Sequence, residues 1–204
     1  MGINNLFSAG GIVMIPLLGF SILALTLIVE RMWFWWKINS RQKDIIRDVL
    51  TLYRRNNMVA VLNGLQKNAD LPIPRIFLAA LELENANQDE FRLALESQAH
   101  AELPLLKRFQ NIFDTIISLS PLLGLLGTVL GLIGSFSSLN LGDIDASQTA
   151  NVTGGISEAL VSTASGLVVA IFTLLFANLF RGFYQRQMAL IQEYGGELEL
   201  LYRR

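Results

Sequence analysis

The chain has 204 residues, of which 52 % are apolar and only 16 % charged, with a net charge of −1. Soluble domains carry about 25 % charged residues, so this balance points to a membrane protein, and near-neutrality offers no electrostatic footprint for nucleic acid. The absence of cysteine excludes disulfides and thiolate metal sites; neither a metal nor a cofactor is expected.

Residues 1–9 form a short N-terminal segment without Lys or Arg. A first span follows at 10–29, uncharged until Glu30-Arg31, with Trp33, Phe34, Trp35 and Trp36 directly behind it as an interfacial aromatic belt. It lacks the positive n-region and cleavage signal of a secretory leader. Residues 30–111 read as helical. Ile45, Val49, Leu52, Val59 and Leu62 recur at helical spacing, and Leu71-Pro72-Ile73-Pro74 predicts a turn. From Asp89, the series Phe91, Leu95, Ala99, Leu103, Leu106 forms a seam interrupted only by Pro104. This predicts one helix over 89–139, about 75 Å long, that extends the second span as a stalk. The second span occupies 112–141, a loop carrying Asp143 and Asp145 occupies 142–155, the third span 156–181, and a tail 182–204. Each span matches the roughly 20 residues needed to cross a bilayer.

Basic residues fix the expected orientation. Arg31, Lys37, Arg41, Lys43 and Arg47, then Lys107 and Arg108, then Arg181 and Arg186 all flank the same ends of the spans, which marks that side as cytoplasmic. The expectation is an all-α integral membrane protein with three transmembrane helices, N-terminus out and C-terminus in, with residues 1–9 and 142–155 external and long helical extensions in the cytoplasm.

At about 100° per residue, Gly124, Gly127, Thr128, Gly131, Gly134, Ser135 and Ser138 share one face of the second span. A ladder of small residues allows close backbone approach, so Gly124, Gly127, Gly131 and Gly134 are expected to pack helices inside a homo-oligomer. The Thr128 hydroxyl can instead serve a backbone carbonyl or a polar path. In the third span Glu158, Ser162, Ser165 and Thr173 lie within about 80° of one another, while Thr163 is displaced from Glu158 by about 140°. A carboxylate inside a span costs a few kcal/mol unless protonated, paired or hydrated, which makes Glu158 a functional candidate. The alternative is a first-turn residue at headgroup level, favoured by the helix dipole.

Enzyme signatures are missing. No Lys-Ser/Thr follows the Gly124–Gly134 stretch, no His-Glu-x-x-His or Gly-x-Ser-x-Gly occurs, and there is one histidine. The runs Pro121-Leu-Leu-Gly-Leu-Leu-Gly-Thr-Val-Leu-Gly131 and Gly155-Ile-Ser-Glu-Ala-Leu-Val-Ser-Thr-Ala-Ser-Gly166 resemble the MotA/TolQ/ExbB proton-channel family, with the ExbB and TolQ branches most similar. The resemblance covers 115–181. It departs from the family at Phe172, where a proline is common after Ala170-Ile171.

The resemblance implies a subunit of a proton-driven motor channel in the bacterial inner membrane. A homo-oligomer, pentameric in the ExbB branch, surrounds a dimer of a single-span ExbD- or TolR-like partner that works on a TonB- or TolA-like protein. A membrane aspartate of the partner carries the proton, and Thr128, Glu158 and Thr163 take the family's pore-lining positions. Two functional classes stand at this point: a channel subunit, ExbB-like or TolQ-like, and a membrane scaffold that packs helices without conducting.

Overall fold

The computed structural model describes residues 10–83, 85–137 and 146–203, the side chains of 146–151 excepted. The N-terminal segment 1–9, Ser138 of the expected small-residue face, and Asp143 and Asp145 lie outside the described residues. Among the described residues six α-helices follow in chain order: α1 Met14–Arg54, α2 Met58–Lys67, α3 Pro72–Leu81, α4 Gln88–Leu106, α5 Gln110–Ser137 and α6 Ala146–Tyr202. Stretches long and apolar enough to cross a membrane fall within Met14–Arg54, Gln88–Ser137 and Val152–Tyr202.

Four boundaries differ from the sequence expectation, each for a local reason. Helix α1 starts at Met14 rather than at residue 10, because Gly11 stands at φ +67°, a left-handed conformation that glycine adopts without a Cβ penalty. The prolines at 72 and 74 open α3 instead of forming a bare turn. A first-turn N–H has no intrahelical partner, so proline sacrifices nothing there. The single helix over 89–139 is broken: α4 ends at Leu106, within a turn of Pro104, and Phe109 adopts φ +67° before α5 begins. Pro104 removes one donor of the last turn. Helix α6, finally, begins at Ala146, inside the stretch expected as a loop, and continues through the expected tail to Tyr202.

The chain divides into two compact units. The first comprises Met1–Val29 and Phe109–Leu179 and has an inverted burial pattern. Helix α5 buries Ser120, Gly124, Gly127, Gly131 and Ser135, while Leu122, Leu125, Val129, Ile133 and Phe136 are exposed. Helix α6 likewise buries Ala159, Ser162, Gly166, Ala170, Thr173 and Ala177 and exposes Leu160, Val168, Ile171 and Leu175. Small residues inside and large apolar ones outside suit a lipid solvent, in which helices associate by close packing rather than by a hydrophobic effect. Leu123 of α5 closes a small cluster with Val13, which precedes α1, and with Met14 and Leu17 of α1.

The second unit comprises Glu30–Arg108 and Phe180–Arg204 and is built like a water-soluble bundle. Trp35, Ile46, Val49, Leu65, Ile73, Phe77, Phe91, Ile191 and Leu198 are buried. Asn57 caps α2 by accepting from the Ala60 N–H at 3.2 Å. Asn87 and Glu90 form a reciprocal capping box on α4, both bonds 2.8 Å, which satisfies two otherwise orphaned donors. Two polar pairs are held in its interior. Gln42 and Gln187 exchange hydrogen bonds of 2.9 and 3.1 Å, and Arg75 clasps the buried Glu102 carboxylate with a two-pronged contact of 2.8 and 2.6 Å. Tyr202 stacks on Phe91 at 3.9 Å between ring centroids and donates to the Ala86 carbonyl at 2.6 Å.

Candidate functional site

The α5–α6 seam of the first unit holds the site candidates. Its geometry follows from missing side chains. A Cβ placed on Gly124 would lie 3.0 Å from both the Ser162 carbonyl oxygen and the Thr163 Cα, and one on Gly131 would lie 2.8 Å from the Gly155 carbonyl oxygen. One on Gly127 would overlap the Ser162 Oγ and stand 2.6 Å from its Cβ. A side chain at any of these positions would require the apposed helix to give way. This approach joins two helices of one chain. Gly134 is different, since no described atom lies within 4 Å of its Cβ position.

Hydroxyls stitch the same seam. Thr163 donates across it to the Gly124 carbonyl at 3.1 Å. The buried Ser162 donates to Ala159 of its own helix at 2.9 Å and approaches the same Gly124 oxygen at 3.4 Å. Ser135 donates to Gly131 at 2.9 Å. Thr128, half-buried, turns its hydroxyl back to the Leu125 carbonyl of its own helix at 2.7 Å.

Glu158 is half-buried and makes no hydrogen bond or ion pair among the described residues. Its carboxyl group rests against Gly11: a Cβ there would overlap the Glu158 Oε1 and lie 2.8 Å from its Cδ. The segment leading into α1 thus lies across the α5–α6 pair. Beyond Gly11, Val13 is 3.6 Å from the Gly127 Cβ position, and Val161 is 3.4 Å from that of Gly10. Thr163 and Glu158 therefore each touch a different neighbour, and no hydrogen bond joins Thr128, Glu158 and Thr163 to one another.

Several participants escape sequence reasoning. Gly155 and Gly166 face the Ser135 hydroxyl and the Ser120 carbonyl, matching the α5 glycines from the opposite side. Ser120 is fully buried with an Oγ that has no hydrogen-bond partner among the described residues. The Gly10-Gly11 pair was legible as a turn signal, but its partner Glu158 stands almost 150 positions later in the chain. Among the described residues no three His, Asp or Glu side chains gather as a metal site would require.

An all-helical chain with three bilayer-length apolar stretches, small residues buried and large ones exposed, and hydroxyls bridging two apposed helices defines a multi-pass membrane protein. Residues 68–193 match the MotA/TolQ/ExbB proton channel family, and the chain belongs to that family. It is 64 % identical to the ExbB-like 3 protein of Synechocystis sp. over 96 % of this chain and 93 % of that one. To the ExbB-like 1 protein of the same organism it is 42 % identical over 97 % and 78 %. A Tol-Pal system protein TolQ from Pseudomonas aeruginosa is 39 % identical over 42 % of this chain and 33 % of its own.

Proposed function

We propose that this chain is an ExbB-like subunit of a proton-driven motor channel in a bacterial inner membrane. Several copies, five by analogy with the ExbB branch, surround a dimer of a single-span ExbD-like partner, and proton passage drives a TonB-like protein that powers outer-membrane transport. The N-terminus faces outward and the second unit lies in the cytoplasm, as the basic residues at one side of every span favour. Biopolymer transport, the activity named for the Synechocystis relatives, accords with this reading.

The observation that carries it is Glu158. A half-buried carboxyl group without a partner among the described residues, on a span helix beside hydroxyl-bearing positions, is costly unless it handles protons or water. Purely structural seams in lipid need no ionisable group; small residues and neutral hydroxyls suffice. Glu158, Thr128 and Thr163 accordingly line the proton path. Because Thr128 and Thr163 spend their protons on backbone carbonyls, their oxygens remain as acceptors toward water or the partner's aspartate.

The test is co-purification with a short single-span partner bearing an aspartate in its span, followed by flux in proteoliposomes. Flux that requires both chains supports the channel; a stable complex with no flux above empty vesicles supports a scaffold. Similarity to TolQ keeps the envelope-integrity branch as the second reading. A deletion strain separates the branches: loss of iron–chelate uptake indicates the ExbB role, and detergent sensitivity the TolQ role.

A further inference from the structure

We infer that Gly11 is a positioning residue for Glu158, so that the turn leading into α1 controls where the carboxyl group stands. This rests on the reading of Glu158 as part of a proton path. Three observations converge on it. Gly11 adopts φ +67°, where an L-side chain is strained. Its absent side chain is the space the Glu158 carboxyl occupies, with overlap at Oε1 and 2.8 Å to Cδ. The turn is pinned just after Gly11: the Met14 N–H donates to the Gly11 carbonyl at 3.1 Å, and the buried Val13 meets α5 at Gly127. A side chain at 11 can be accommodated only by moving the carboxyl group or by unpinning the turn. The neighbouring Gly10 offers a control, since a Cβ there meets the Met14 side chain at 2.5 Å and not the Glu158 carboxyl group.

The experiment compares Gly11→Ala, Gly10→Ala, Glu158→Asp and Gly11→Ala/Glu158→Asp in the assembled complex with its single-span partner. Two readouts are taken: proton flux per complex in proteoliposomes, and the rate at which a hydrophobic carbodiimide labels the carboxyl group. A shift of about 1 Å at a reacting group can cost about 100-fold. Gly11→Ala is therefore expected to lower flux about tenfold or more and to change the labelling rate severalfold, with Gly10→Ala close to wild type. Glu158→Asp withdraws the carboxyl group by one methylene, so in that background Gly11→Ala should lose most of its effect on both readouts. Wild-type flux and labelling in Gly11→Ala would overturn the inference, as would an equal effect of Gly11→Ala in both backgrounds, which would mean general strain at the start of α1. Should Glu158→Gln retain full flux, the proton-path reading of Glu158 fails by itself. The labelling comparison then still decides whether Gly11 positions the carboxyl group.

Discussion

Ser120 and Gly134 separate what a side chain type suggests from what its surroundings use. The Ser120 hydroxyl is buried without a partner among the described residues, and such an orphan costs about 1–3 kcal/mol relative to a satisfied group. Ser120→Ala is therefore expected to leave thermal stability in detergent unchanged or raised; a lowered midpoint would mean the hydroxyl has a partner in the assembly. Gly127→Ala runs the other way. Its new methyl meets the Ser162 side chain inside a tight seam, and overpacking of this kind costs about 1–3 kcal/mol, read as a lowered unfolding midpoint. Gly134→Ala has open space around it and a gain of up to about 1 kcal/mol in helix propensity. Loss of the oligomer in that variant on native gels would place Gly134 at a contact between copies.

At the scale of elements, the three apolar stretches and the helical character of the connecting region were legible because hydropathy and period are local properties. Helix ends were less so. Pro72 and Pro74 read locally as a turn, although at a first helical turn proline costs no hydrogen bond. The break after α4 depends on Phe109 accepting a left-handed conformation, which no local rule assigns to phenylalanine. The glycine ladder was visible, yet its partner was not: Ser162, Thr163 and Gly155 supply the opposing surface from the same chain, and only three-dimensional register brings them there. Asn56, at φ +60° and exposed between α1 and α2, gives an element-level test. Asn56→Gly should be neutral or slightly stabilising, and Asn56→Ala should lower the midpoint by the equivalent of about 1 kcal/mol; the reverse ranking would contradict the assigned backbone.

The two units obey opposite packing rules, and their pH responses should differ. In the second unit the Asp70 carboxylate accepts from Lys37 and Arg41, each at 2.9 Å, and the Lys37 bond is the main reason its pKa lies below the ordinary aspartate value. A lowered folded-state pKa stabilises above the unfolded value of about 3.9 and loses that contribution as pH falls through the folded one. Partial exposure keeps the effect small. Detergent-solubilised protein should thus lose midpoint temperature more steeply below about pH 4 than Asp70→Asn does; identical acid limbs would remove Asp70 from the account. On the scale of the membrane, a reporter joined after Leu141 should read as external and one after Arg204 as cytoplasmic, and the opposite pattern would invert the topology.

Ionisation of Glu158 is the central claim, and Glu158→Gln addresses it with little change in size or hydrogen-bonding capacity. The measurement is proton flux per assembled complex in proteoliposomes containing the single-span partner. A channel in which Glu158 handles protons predicts intact assembly with flux near that of empty vesicles. Wild-type flux from an equally assembled Gln variant would contradict it.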